Sequence, residues 1–248
     1  MTKLPQLRIL IHSEPQSGAG NMAVDEVLLE SAIATDLATL RFYRWREPTA
    51  SLGYFQREAD FLAETRFATL PAVRRLSGGG TLVHDRELTY SLTLPPSQQL
   101  IGRPMELYDI VHEVFINVFH RRGIAIRQRG SSVHRKEEPL LCFAREDEHD
   151  LVLLGHKVLG SAQRRRRGAI LQHGGLVLEA SSVTPDLPGI SDLSPGASLN
   201  CLETDLAMQV APVISKSFFC GELSVNEQDR AVLLAADSYS SLFRVGRQ

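Results

Sequence analysis

Between residues 151 and 179, strand-forming runs follow one another too closely for any crossover connection. The runs 151–154, 157–162, 169–173 and 175–179 are separated only by Gly155, by Arg164–Gly168 and by a predicted turn at His173-Gly174. Parallel neighbours need a dozen or more connecting residues, so these runs can pair only as antiparallel hairpins. The stretch 81–94 reads the same way. Its two strands, TLVH and LTYSLTL, stop at Pro95-Pro96, which lack the N–H groups a central strand needs. Further strand-like runs lie at 7–12, 39–45, 50–55 and 71–75. The clearest helix is 105–121, where Leu107, Ile110, Val111, Val114, Phe115, Val118 and Phe119 recur at helical spacing before Gly123. Shorter or weaker helical patterns cover 21–34, 58–67, 203–216 and 225–241, the last opening on a Ser224–Glu227 capping box. Residues 128–150 are polar and irregular, and 181–200, rich in Ser, Pro and Gly, read as a long loop. Hairpins with helices set apart in clusters predict an α+β fold rather than a doubly wound parallel sheet.

Composition removes several classes of function. The 248 residues carry 27 Lys+Arg against 29 Asp+Glu, a net charge of -2, which excludes a strongly basic DNA-coating chain. No apolar run approaches the roughly 18 residues of a membrane span. The N-terminal stretch lacks the form of a signal peptide. Cys142, Cys201 and Cys220 form no even framework and no CxxC pair, so free thiols and a cytoplasmic location are expected. His84, His156 and His173 lack metal-site spacing, and no metal is expected.

Three segments can carry chemistry. The first is Arg74-Arg75-Leu76-Ser77-Gly78-Gly79-Gly80-Thr81-Leu82-Val83-His84-Asp85. Consecutive glycines let a ligand approach backbone N–H groups, and paired arginines offer forked donors to a phosphate or carboxylate. Three glycines alone also describe a flexible hairpin with surface arginines; Arg-Arg before and His-Asp after favour the binding loop. It is not a Walker loop, because no Lys-Ser/Thr follows the glycines. The second segment is Gly155-His156-Lys157-Val158-Leu159-Gly160-Ser161-Ala162-Gln163. The chain has only four lysines, Lys3, Lys136, Lys157 and Lys216, and Lys157 sits between glycines on a strand. It suits an ammonium aimed into a cleft as well as a solvated strand exit. The third is Leu140-Leu141-Cys142-Phe143, where the thiol is a small core hydrophobe or, beside a cation, a nucleophile. Arg164–Arg167 reads as a solvated hairpin tip or a docking spot for an acidic protein. From these residues alone the chemistry extends to an anion or acyl ligand held by a glycine loop, with a lysine and a possible thiol.

The motif RRLSGGGTLVHD resembles the signature of the lipoate and biotin protein ligase superfamily. NMAVDEVLL, RFYRW followed by SLGYFQ, ELTYSL, and the block CFAREDEHDLVLLGHKVLGSAQRRRRGAILQHGGLVL extend the resemblance over most of the chain. Within the superfamily it is most similar to the cysteine-using octanoyltransferases. The resemblance implies the α+β biotin/lipoate protein ligase catalytic-domain fold, with mixed and antiparallel sheets flanked by helices. It implies one catalytic domain over residues 1–248, with no C-terminal accessory domain. It also places Arg74, Arg75, Ser77, Gly78, Gly79, Gly80 and His84 along an acyl pocket, with Gly160, Ser161 and Ala162 closing its wall. Lys157 falls on the family's lysine, which holds the acyl carbonyl. Cys142, fifteen residues earlier, falls on the octanoyltransferase nucleophile, where ATP-dependent ligases carry Asn-Asp. Gly80 is shared with the ligases, the octanoyltransferases carrying arginine there.

The implied reaction moves an octanoyl group from octanoyl-acyl carrier protein, through a Cys142 acyl-enzyme, to a lysine of an apo lipoyl domain or a glycine-cleavage H-type carrier protein. A thioester is already activated, so no cofactor is expected; ATP and Mg belong only to the alternative, a lipoate–protein ligase. An amidotransferase between two proteins and a non-catalytic carrier-binding protein are the other readings. Neither nucleic acid nor membrane is an expected partner. The expected state is a monomer, and arginines including Arg121, Arg122, Arg127, Arg129, Arg135 and Arg164–Arg167 would steer acidic partners.

Overall fold

A computed structural model describes residues 6–98, 102–130 and 146–239. In chain order the elements are β1 (Leu7–Ile11), α1 (Gly18–Thr35), β2 (Ala38–Tyr43), β3 (Thr49–Leu52), α2 (Glu58–Leu62), β4 (Ala72–Arg74), β5 (Leu82–His84) and β6 (Glu87–Leu94). Then follow α3 (Pro104–Arg121), β7 (Arg127–Gln128), β8 (Leu151–Leu153), β9 (His156–Arg166), β10 (Ala169–Val177), α4 (Ile190–Leu193), α5 (Leu202–Ile214), β11 (Phe218–Cys220) and α6 (Val225–Asp237). Eight strands form one mixed sheet, ordered β11-β1-β2-β6-β10-β9-β8-β7. β1 is parallel to both β11 and β2, and every pairing from β2 to β7 is antiparallel. A second sheet, β4-β3-β5, carries the glycine loop between its outer strands. The α+β architecture expected from the hairpin pattern is the one observed.

Alternation along the strands sends apolar side chains to both faces of the large sheet. Leu7 and Ile9 of β1 join Phe42, Tyr90, Leu92, Ile170 and Leu176 in the main core, closed by Val111, Phe115 and Phe119 of α3 and Leu206 and Val210 of α5. Leu10 points the other way and packs with Met22, Val27 and Leu28 of α1 and with Ala231 and Leu234 of α6. Helix α1 begins three residues earlier than its apolar pattern suggests, because the Ser17 hydroxyl accepts from the N–H of Gly20 and caps its first turn.

Three local expectations are corrected. The predicted turn at His173-Gly174 does not exist, and β10 runs unbroken through it between β6 and β9. The two glycines mark close approach instead. A Cβ on Gly174 would strike Ser161 Oγ and sit 2.7 Å from Tyr90 Cε1, and one on Gly175 would sit 2.9 Å from Glu87 Oε1. Likewise Arg164–Arg166 belong to β9, and the turn is Arg167-Gly168, both at positive φ. Arg164 lies over the Tyr54 ring and Arg166 pairs with Glu26, so of the four only Arg167 stands in the exposed hairpin tip. Strand β11 has no counterpart in the sequence reading. Three residues are too few for a legible period, and its place is set by the β1 edge it pairs with.

The last helix is fastened by a buried ion pair. Arg8, on the α6 face of β1, donates twice to Glu227, at 2.7 and 2.8 Å, and Ser31 of α1 donates to the same carboxylate. Burial acts to raise the Glu227 carboxyl, but the bonds from Arg8, Ser224 and Ser31 outweigh it and hold it at about 2. A depressed carboxylate contributes stability above its unfolded value near 4.5 and loses it as pH falls toward 2. Glu227→Gln, which strands a buried guanidinium, should cost about 3–5 kcal/mol. Urea unfolding at neutral pH checks the loss, and the same titration between pH 4.5 and about 2 should show a flatter acid dependence in the variant.

Candidate active site

Where the small sheet meets β6, β9 and β10, a cavity of about 470 Å³ opens. Arg75, Gly78, Gly79, Leu82 and His84 line one side; Lys157, Gly160, Ser161 and Ala162 line the other; Met22, Tyr43 and Trp45 are apolar wall residues between them. Two segments about eighty residues apart, each singled out for its chemistry, thus share one space. A second concavity, about 490 Å³ between α1 and α6, is lined by no lysine or arginine.

The glycine loop is held from within. Arg75, buried at the end of β4, donates to the carbonyl oxygens of Ser51, Gly78 and Gly80, each at 2.7 Å. Its fork therefore organises the loop, where the sequence reading allowed it to meet an anion. Arg74 does not line the cavity at all. It turns outward to the carbonyl oxygens of Gly53 (3.0 Å) and Gln56 (2.6 Å), strapping the loop 53–57 in place. The strap matters because Gly53 lies so close to Gly79 that a Cβ would collide with its carbonyl oxygen. Ser77 and Gly80 also stay out of the lining: Ser77 is fully buried, and Gly80 gives its carbonyl to Arg75.

Three serine–histidine pairs build the walls. His84 Nε2 meets Ser51 Oγ at 2.7 Å and its Nδ1 meets Glu87 at 2.9 Å, while the imidazole stacks flat on Trp45 at 3.8 Å. His173 Nε2 meets Ser77 Oγ at 2.5 Å, and its Nδ1 lies 3.4 Å from Asp25. His112 of α3 meets Ser161 Oγ at 2.7 Å through Nε2 and the His149 carbonyl at 2.7 Å through Nδ1. A carbonyl only accepts, so Nδ1 of His112 carries the proton and Nε2 accepts from Ser161. Tyr90 then donates to Ser161, and Gln172 donates to Tyr90. Burial brings His112 down to about 4, which keeps it neutral at physiological pH.

Lys157 is the cationic side chain of the opposite wall. Its Nζ lies 2.8 Å from Asp150 Oδ1, with both side chains almost wholly buried. Gly160 makes room for it, since a Cβ there would sit 2.6 Å from Lys157 Cε. Burial pushes the Asp150 carboxyl upward, against the pull of Lys157. Cys142 lies outside the described residues. Among the described residues no group of three His, Cys, Asp or Glu side chains could hold a metal ion.

Several residues of the site escaped the sequence reading. Asp150 stood at the end of an irregular polar stretch, Asp25 and Met22 inside a helical pattern, and Trp45 in a strand-like run. Only contacts distant in sequence give them a role. For Asp25 a retrospective signal existed: an aspartate amid the buried positions Ala23, Val24, Val27 and Leu28 must find partners.

The chain belongs to the lipoyl protein ligase A/B catalytic domain family, whose model matches residues 17–186. It is similar to octanoyltransferase LipM of Clostridioides difficile (strain 630), 34% identical over 176 residues, 68% of this chain and 65% of that one. The LipM of Carboxydothermus hydrogenoformans is 38% identical over 168 residues, 66% of this chain and 62% of its own. The match thus spans less than two thirds of these relatives' length. Among solved structures, lipoate-protein ligase A bound with ATP superposes at a TM-score of 0.71, with 20% identity and 96% and 97% of the two chains covered. The bi-partite lipoate protein ligase of Thermoplasma acidophilum superposes at 0.67, with 18% identity and 96% and 95% covered. These two likenesses establish the fold.

Two outcomes test the walls. Asp25→Asn leaves the buried Arg41 short of its carboxylate and should cost about 3–5 kcal/mol in urea unfolding. Because His112 is held below its ordinary 6.5, its contribution to stability is complete above that value and lost as pH falls to about 4. His112→Gln should reduce the slope of stability against pH across that window.

Proposed function

We propose that this protein is an octanoyltransferase of protein lipoylation, taking its acyl group from octanoyl-acyl carrier protein and passing it to a lysine of a lipoyl domain or H-type carrier protein. The observation that supports it most is the buried Lys157 ammonium facing the glycine loop across an apolar-walled cavity. The similarity to octanoyltransferases LipM supports octanoyl as the acyl group.

The Cys142 thiol gives up its proton and the thiolate attacks the thioester carbonyl; the new C–S bond forms, the carrier's C–S bond breaks, and the carrier sulfur leaves with the proton that Cys142 gave up. The acceptor amine then attacks the acyl-enzyme. A C–N bond forms, the C–S bond breaks, and the amine proton passes to the Cys142 sulfur. In both steps negative charge gathers on the carbonyl oxygen, where the Lys157 ammonium stabilises it. Asp150 and Gly160 set the position of that ammonium. Met22, Tyr43, Trp45 and Leu82 receive the alkyl chain, each buried CH₂ contributing about 0.8 kcal/mol. The thioester supplies the activation, so no ATP or metal enters the scheme. Among the described residues no helix is long and apolar enough to cross a membrane, and Cys201 and Cys220 are free. A cytoplasmic place of action fits both.

Intact-mass spectrometry of the protein with octanoyl-acyl carrier protein, without ATP, tests the proposal. A hydroxylamine-labile octanoyl adduct should appear on the wild type and be absent from Cys142→Ala. Lys157→Ala should slow transfer to an apo lipoyl domain by about 10²–10³-fold. No adduct, with lipoyl-domain modification only when lipoate and ATP are supplied, would make the protein a ligase instead.

A further inference from the structure

Resting on that reading, an enzyme that acylates lysines keeps a lysine of its own in the acyl cavity. Lys157 sits in the same space as the glycine loop, with its side chain 6% exposed. A neutral amine there, close to a thioester, is a competing acceptor, and the amide it formed would block the site for good. A charge taken out of water needs a fixed counter-charge close by.

The structure holds a device against this. Asp150 Oδ1 lies 2.8 Å from Lys157 Nζ. The other oxygen, Oδ2, accepts from the backbone N–H of Asp147 at 2.9 Å and lies 3.9 Å from Arg129 Nε, so the carboxylate is fixed before any substrate arrives. Glu146 and Asp147 line the cavity beside it and add negative charge on that side. Gly160 leaves room for the lysine tail in this position, since a Cβ there would lie 2.6 Å from Cε and 3.0 Å from Nζ.

We propose that Asp150 protects the enzyme from acylating itself, by holding Lys157 as an ammonium whose nitrogen has no lone pair to attack with. Asp150 is a positioning residue, acting through Lys157. In its absence the Lys157 nitrogen attacks the thioester carbonyl; a C–N bond forms, the C–S bond breaks, and the amine proton leaves with the thiolate. The product is an amide on the enzyme's own lysine.

The test incubates wild type, Asp150→Asn and Asp150→Glu with the N-acetylcysteamine thioester of octanoate and maps hydroxylamine-stable octanoyl groups by peptide mass spectrometry. Asp150→Asn should acquire a stable octanoyl group on Lys157 at least about tenfold faster than wild type, with exposed Lys216 unchanged as the internal standard. Asp150→Glu, which keeps the carboxylate, should restore most of the protection. Equal Lys157 labelling in a folded Asp150→Asn and in wild type overturns the proposal, as does stable labelling of the wild type itself. If Asp150→Asn does not fold, Gly160→Ala decides the matter: its methyl would lie 2.6 Å from Lys157 Cε and pushes the nitrogen away from Asp150, so that an unaltered carboxylate no longer holds the proton on it. Labelling should rise there too, and no rise overturns the proposal. The small thioester needs no carrier protein, so a failure of transfer to lipoyl domains counts against the transferase reading alone.

Discussion

Asp25 of α1 sits at the point where four parts of the molecule meet. It is 1% exposed and accepts from Arg41 of β2 at 2.9 Å, from Tyr43 of β2 at 2.9 Å and from Ser91 of β6 at 2.8 Å. His173 of β10 lies within 3.4 Å of its second oxygen and passes the connection to Ser77, at the foot of the glycine loop. Arg41 in turn bonds Asn21 and His12. Burial alone would raise the Asp25 carboxyl; His173 and Arg41 outweigh it and hold it below its ordinary range. A desolvated charge with four partners tolerates one arrangement, so the register of α1 on the sheet and the seat of the glycine loop are specified together. This geometric specification, more than net stabilisation, is what a buried ion pair of this kind supplies.

The cavity depends on arginines and histidines whose work is internal. Arg75 turns the loop carbonyls onto itself, and Arg74 straps the neighbouring loop against Gly79. Three imidazoles hold the hydroxyls of Ser51, Ser77 and Ser161. With those donors committed, the ammonium of Lys157 and its counter-ion Asp150 form the charged element of the opposite wall. Such a rigid, desolvated cation is suited to stabilising charge that appears only during reaction, because it needs no reorganisation at that moment.

Residue-level patterns reveal some of this and conceal the rest for identifiable reasons. Helix α3 was legible because seven apolar residues repeat at helical spacing, and the hairpins because their connections are too short for anything else. His173-Gly174 misled, since a glycine that admits Tyr90 and Ser161 has the same letter as one that turns the chain. Arg74, the last residue of β4, and Arg75, just after it, share a motif and point in different directions, as successive residues of an extended chain do. Asp150 carried no signal at all, because its importance is its distance from Lys157.

From the sequence alone came the α+β class, the two segments that face each other, the thiol at Cys142 and the family they resemble, because those follow from residue type, period and order along the chain. Only the tertiary structure decided that Arg75 serves the loop, that Asp25 joins α1 to three strands, and that Asp150 pairs with Lys157. Each is a contact between groups far apart in the chain or on opposite sides of a bend. Such contacts are selected by packing and desolvation, which act on distances in space and leave no period in the sequence.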